Sequence, residues 1–151
     1  MNKFSRIEHL TPYDTDYHQW SVEQAALLRE GKLDRIDREH LAEEIESLGQ
    51  SEKREIVKRL MLTILHLLKW QIQPEKRKGG WQASIRVQRK DLQDVLKDNP
   101  SLRAYPVEVL DKAYTKARIK AEKETGIPFE SFPDECPFTI EQILDDGFLP
   151  E

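Results

Sequence analysis

The sequence has little cysteine, little glycine and no long apolar run. Cys136 is the single cysteine among 151 residues, which excludes an intramolecular disulfide and any C-x-x-C metal or redox site. The longest apolar run, residues 60–68, is interrupted by Thr63 and His66, so it is far shorter than the roughly 18 apolar residues of a membrane span. The first residues also lack the apolar core of a signal peptide. We therefore predict a soluble, cytoplasmic protein with no membrane segment.

Charge is abundant but unevenly distributed along the chain. Residues 69–90 carry seven Lys and Arg against one acid, a local charge of +6, and residues 122–151 carry nine acids against one Lys, a local charge of −8. The favoured interpretation is that the acidic part folds back near the basic segment, or that both are simply solvated. The alternative is that the basic segment, especially residues 76–90, is a nucleic-acid footprint.

A central helix is predicted over residues 51–73. Ser51 is a suitable N-cap, and Pro74 ends the helix because its ring clashes with the preceding turn. Gly49 either ends a separate helix before it or lies inside one long helix over residues 37–73, and both alternatives stay open. The apolar positions of the central helix follow at three- and four-residue spacing: Ile56, Leu60, Ile64, Leu67 and Leu68.

Further helices are predicted on both sides of the central one. The first begins after Asp14 or Thr15 and stops near Gly31, and the second is capped by Asp37. After Pro74, one helix spans residues 81–97, with Trp81 inward and with Arg86, Arg89 and Lys90 on its outer face. Another runs from Pro100 to Gly126 and is restarted at Pro106 in one reading.

The two ends of the chain are predicted to be less regular. Residues 1–12 form an irregular arm. Residues 127–151, rich in Pro and Phe, form an extended segment packed by its aromatic rings, with one short helix that begins at a Thr139 and Gln142 capping box. With 6 glycines and 34% charged residues, the composition also favours helix. The prediction is a single all-α domain over residues 1–151, a bundle of four to five main helices with this segment packed on it.

Several motifs in order resemble a known family. They are residues 13–17 (YDTDY) with Trp20, 41–46 (LAEEIE), 66–71 (HLLKWQ) with 73–75 (QPE), Trp81 with Ile85, 98–102 (DNPSL), 132–139 (FPDECPFT) and 148–150 (FLP). Together they resemble the bacterial domain-of-unknown-function family twenty-nine over essentially the whole chain. The resemblance implies a small helical bacterial protein, frequent in cyanobacteria and proteobacteria. It implies no activity.

One group of candidate functional residues lies at the end of the central helix. His66 and Trp70 share a face four residues apart, and Lys69 with Trp81 from the next helix could complete a pocket for a small anion or nucleotide. The favoured alternative is that His66 is a partly buried ring bonded to a neighbouring helix and that both tryptophans belong to the core. Arg86 and Arg89 extend the same surface with cations that suit phosphates.

Metal and nucleophile chemistry have weaker support. His40 with Glu43 and Glu44, or Glu43 and Glu46 with His66, supply only half of the Glu-x-x-His pattern of bundle metal sites, so no metal, no cofactor and no catalytic residue are predicted. Cys136 has no His nearby in sequence and is expected to be a small apolar anchor.

The sequence therefore favours a protein that binds a protein partner or a second copy of itself. An enzyme is the less favoured interpretation. The predicted surface comprises His66, Lys69, Trp70, Trp81, Arg86 and Arg89. The alternatives are a nucleic-acid-associated protein that uses residues 76–90 and, less favoured, a metal-dependent or hydrolytic enzyme that uses His66.

Overall fold

A computed structural model describes residues 9–151, and in this part of the chain all regular structure is helical. The predicted all-α class is confirmed. Residues 1–8 of the predicted arm lie outside the described residues, and residues 9–12 form no helix. Six α-helices lie within the described residues: α1 (Tyr17–Arg29), α2 (Arg38–Ile72), α3 (Gly79–Asp98), α4 (Tyr105–Glu108), α5 (Leu110–Thr125) and α6 (Ile140–Leu144). No helix among these residues is long and apolar enough to cross a membrane.

Helix α2 is continuous through Gly49, so the open question of one helix or two is answered in favour of one. A glycine inside a helix costs only about 1 kcal/mol, and the spacing of apolar positions on either side is maintained. Ser51 therefore lies inside the helix, and its predicted role as an N-cap is wrong. The predicted stop is confirmed, since α2 ends at Ile72 and Pro74 opens a short 3₁₀ helix.

Several other helix ends follow local chemistry. Asp16, rather than Asp14 or Thr15, caps α1 by accepting a hydrogen bond from the Gln19 backbone N–H at 3.0 Å. Gly31 and Gly126 have positive φ angles of 72° and 76° just after α1 and α5, a conformation that glycine adopts without steric cost. The region from Pro100 to Gly126 is divided into a 3₁₀ turn, α4 and α5, so the reading with a restart near Pro106 is the closer one.

The contacts divide the chain into two compact units, one up to Gly49 and one from Gln50 to Glu151. Their boundary falls within α2. The single domain expected from the sequence stays a prediction.

The second unit has an apolar core built from α2, α3, α5 and the C-terminal segment. The apolar stripe predicted for the central helix is fully buried in it. Helices α3 and α5 add Ile85, Leu92 and small residues such as Ala113 and Ala117, which let the helices approach closely. Phe132 and Phe138 from residues 127–151 are buried in the same core. The capping box of α6 at Thr139 and Gln142 is also present.

Two buried arginines fasten the C-terminal segment to the helices. Arg89 of α3 donates from Nε to the carbonyl of Ile143 at 2.8 Å and from Nη2 to that of Gln142 at 3.1 Å. Arg118 of α5 donates from Nη2 to the carbonyl of Phe129 at 2.8 Å. The predicted exposure of Arg89 is therefore wrong: its side chain is only 2% exposed, because its guanidinium satisfies carbonyls at the end of a short helix.

The first unit consists of α1, the first turns of α2 and the segments that flank them. Trp20 and Leu27 of α1 are buried, and two buried polar residues of the same helix bind the flanking segments. Glu23 accepts hydrogen bonds from the backbone and hydroxyl of Thr11 at 2.7 and 3.0 Å. Gln24 Oε1 accepts one from the Asp37 backbone N–H at 2.7 Å. These bonds fix the chain on both sides of α1.

Candidate functional site

A hydrogen-bonded cluster in the first unit is centred on Asp37. Trp20 Nε1 donates to Asp37 Oδ2 at 3.0 Å, and His40 Nδ1 lies 2.7 Å from the same oxygen. The Tyr13 ring stacks on the His40 ring with centroids 4.1 Å apart and planes 8° apart, while Trp20 meets Tyr13 edge to face at 4.9 Å. The cluster joins the segment before α1, α1 itself and the start of α2.

Glu44, one turn further along α2, is held by two tyrosines. The hydroxyls of Tyr13 and Tyr17 each donate to one of its carboxylate oxygens at 2.5 Å. The bond to Glu44 raises the pKa of Tyr13 to about 12, and the bonds from Tyr13 and Tyr17 lower the pKa of Glu44. Glu44 therefore stays ionised at neutral pH.

The pKa values of Asp37 and His40 shift in opposite directions. Burial alone would raise the pKa of Asp37, but hydrogen bonds from His40 and Trp20 outweigh it and lower that pKa below 3.8. The hydrogen bond to Asp37 raises the pKa of His40 above 6.5. Asp37 and His40 are thus both charged between pH 3.8 and pH 6.5, the ordinary pKa values of the two groups.

The shifted pKa values of the pair predict that the stability of the first unit depends on pH. A histidine whose pKa is raised by folding contributes stability that is complete below 6.5 and is lost as the pH rises through its folded pKa. We expect hydrogen exchange at the α1 amides, normalised to the intrinsic rate at each pH, to show less protection at about pH 8 than at about pH 6. His40→Asn should remove this difference, and His18→Asn, which changes an exposed histidine of α1, should preserve it. An equal pH dependence in His40→Asn would contradict the assignment.

An apolar groove lies beside this cluster, between α1 and the start of α2. Its volume is about 270 Å³. Within the described residues, Glu44 is its only charged lining side chain. The apolar lining includes Tyr17, Ala25 and Leu28 from α1 and Leu41 and Leu48 from α2. We call this feature the α1–α2 groove.

Large apolar side chains are left exposed at the groove. Leu48 is 69% exposed, Tyr17 53% and Leu28 45%, and Ile45 on the next position of the α2 face is 67% exposed. Single exposed apolar residues are common on protein surfaces, but a continuous group around a concave surface marks an interaction site.

In the structure, the site residues predicted from the sequence contact several different partners. His66 Nδ1 lies 2.8 Å from the Leu62 carbonyl, one turn earlier in its own helix, so the expected bond to a neighbouring helix is wrong. Lys69 Nζ lies 4.9 Å from the Trp81 ring centroid and 3.4 Å from a carboxylate oxygen of Glu124. The structure thus brings Lys69 and Trp81 together.

Trp70 has a different partner. Arg77 lies over its ring at 4.7 Å and donates from Nε to its backbone carbonyl at 2.8 Å. Trp70 and Trp81 are both half-buried, so neither is a fully enclosed core residue.

Arg86 and Arg89 line a cavity of about 350 Å³ together with Lys90 and Asp146. Arg86 is exposed, whereas the Nε and Nη2 groups of Arg89 are bonded to α6. Lys90 Nζ is paired with Asp94 at 2.6 Å. Of the predicted basic surface, several cations are therefore already bound within the protein.

Two further candidates concern metal and thiol chemistry. Within residues 9–151, no group of three His, Cys, Asp or Glu side chains is placed to hold a metal ion. Cys136 packs half-buried against the core of the second unit, and burial raises the pKa of its thiol, which lowers its reactivity at neutral pH.

Comparison with known protein families identifies the chain. The model of a family described as "Domain of unknown function DUF29" matches residues 12–149. The chain belongs to the DUF29 family. No curated protein and no solved structure matches it. The DUF29 match assigns a family without an activity.

The α1–α2 groove of this DUF29 chain was missed by the sequence reasoning. The sequence reasoning used Tyr13, Trp20 and residues 41–46 as family motifs and predicted no interaction surface from them. One signal was available: the first turns of α2 combine apolar and acidic residues in a pattern that α1, a short helix, cannot fully cover.

Proposed function

We propose that this chain acts by binding a protein partner, and that the α1–α2 groove receives an amphipathic helix with basic side chains from that partner. The observation that carries the proposal is an exposed apolar groove whose charged lining residue, within the described part of the chain, is the anion Glu44. The proposal develops the binding role favoured by the sequence and moves it away from the surface predicted there.

The shape and lining of the groove support a helix as the occupant. A groove between two helices accepts the apolar face of a third, through side chains spaced three, four and seven residues apart. Leu28 and Leu48 lie on opposite walls, where they can contact such a face along its length.

Charge supports a basic partner rather than a second copy of the chain. Residues 9–49 carry ten carboxylates against four Arg and Lys, a formal charge of −6. Two such units would repel each other, whereas a basic helix would be attracted and could pair with Glu44. The charge of the first unit therefore supports a basic partner over a second copy of the chain.

Site-specific crosslinking in a lysate of the source organism tests the proposal. A photo-crosslinking residue in place of Leu48 should link to a Lys- and Arg-rich amphipathic helix of another protein, identified by mass spectrometry of the linked peptide. Leu28→Gln should reduce the yield by about tenfold, since a lost apolar contact costs roughly 1.4 kcal/mol or more. The same crosslinker in place of Val107, which is 65% exposed in α4, is the matched control.

Three outcomes would overturn the proposal. They are a linked peptide from a second copy of this chain, a linked nucleic acid, or a yield at position 48 no greater than at position 107. Sedimentation of the purified chain provides a separate check, because the proposal expects a monomer and a dimer dissociated by Leu48→Gln would favour self-association.

The two alternatives from the sequence have less support. In the basic segment Arg77, Arg89 and Lys90 are held by contacts within the protein, which leaves fewer cations for nucleic acid. An enzyme using His66 would need a nucleophile or metal beside it, and its Nδ1 is directed to a carbonyl of its own helix. The bacterial source and the cytoplasmic location remain predictions.

A further inference from the structure

A cavity in the second unit is lined by basic side chains on two helices. Its volume is about 440 Å³, within the range of pockets that bind small molecules. Residues of α2, α4 and α5 contribute to it. The basic side chains are Lys53, Arg54 and Lys58 from α2 and Lys112 and Lys116 from α5. We call this cavity the basic cleft.

Within residues 9–151, the cations of the basic cleft have no carboxylate partner. Among the described residues, none of the five forms an ion pair with a carboxylate, and no carboxylate lines the cleft. The whole chain has a net charge of −4, so the sign of the charge is reversed locally. Five like charges around one cavity repel each other, and a bound anion would relieve that repulsion.

The cleft also has an apolar surface. Val57 is buried, and Met61 and Tyr105 are half-buried. Lys53 Nζ lies 5.2 Å from the centroid of the Tyr105 ring. A thioether and an aromatic ring suit a flat, polarisable group, whereas Lys and Arg suit phosphate oxygens.

We propose that the basic cleft binds a nucleotide with two or more phosphates. The phosphates contact the cations of α2 and α5, and the base lies against Met61 and Tyr105. A mononucleotide is favoured over a nucleic-acid strand because the cations surround one cavity of small-molecule size. This site is independent of the α1–α2 groove and of residues 76–90.

Calorimetric titration with ATP, adenosine and inorganic triphosphate tests the proposal, using the full chain at about physiological ionic strength. ATP should bind more tightly than either adenosine or triphosphate. Lys112→Gln with Lys116→Gln should weaken ATP binding at least about tenfold. The matched control is Lys120→Gln with Lys123→Gln, which removes the same charge from exposed positions of the same helix outside the cleft and should leave binding unchanged.

The base contact has its own test. Tyr105→Leu should weaken ATP binding while leaving triphosphate binding unchanged. The proposal is overturned if ATP does not bind, if the control pair weakens binding as much as the cleft pair, or if triphosphate binds as tightly as ATP. It is also overturned if a single-stranded oligonucleotide binds the cleft and ATP fails to compete with it.

Discussion

Replacement of Arg89 by alanine is expected to lower the free energy of unfolding of the second unit by about 3 kcal/mol. The guanidinium donates to the carbonyls of Ile143 and Gln142, and it is buried with them. Its removal leaves two carbonyls of α6 without these donors, and the lost side-chain stem leaves space beside Ile143. Hydrogen bonds from charged donors contribute more than neutral ones, so the loss should exceed that of an ordinary surface substitution.

Urea denaturation followed by circular dichroism measures this loss. Arg86→Ala is the matched control, since Arg86 is exposed on the same helix, and it should change stability by less than about 0.5 kcal/mol. Arg89→Met separates packing from hydrogen bonding because it retains most of the stem. Equal stability of Arg89→Ala and Arg86→Ala would show that Arg89 does not hold the C-terminal segment.

Replacement of Trp20 by alanine is expected to cost the first unit about 3 to 5 kcal/mol. The ring is 2% exposed and contacts Tyr13 edge to face at 4.9 Å. Its Nε1 also donates to Asp37, so the substitution removes both packing and one of the hydrogen bonds that orient the Asp37 carboxylate. Since each 1.4 kcal/mol is a factor of ten, this loss should raise the population of molecules with α1 unfolded by at least about a hundredfold.

Hydrogen exchange shows which helices lose stability in Trp20→Ala. Amides of α1 should lose protection, and those of α3 in the second unit serve as the internal reference. Trp20→Phe retains an aromatic ring but not the N–H donor, so its effect should be smaller, at about 1–2 kcal/mol. Trp81→Ala, which removes a half-buried tryptophan from the second unit, should leave α1 protection unchanged. Full protection of α1 in Trp20→Ala would refute the central role of Trp20.

The candidate sites were harder to predict than the fold. The sequence reasoning selected His66 and the cations of residues 69–90 because these residues stand close together along the chain. In the structure, Arg89 instead donates hydrogen bonds to two carbonyls, and Lys69 contacts Glu124 and the Trp81 ring. Counting charges along the sequence thus overestimated the number of cations in this segment that are available to a partner. It also missed the basic cleft, whose cations form two groups more than fifty residues apart in the sequence.

What the sequence determined by itself was the helical class and several helix ends. Pro74, Gly126 and the Thr139 capping box act within one or two turns, and such local effects do not depend on the rest of the fold. The tertiary structure decided which side chains meet. Trp20 with Asp37, and Lys53 with Lys116, come together only when separate helices pack, because sequence periodicity gives the face of a residue but not the helix that lies opposite it.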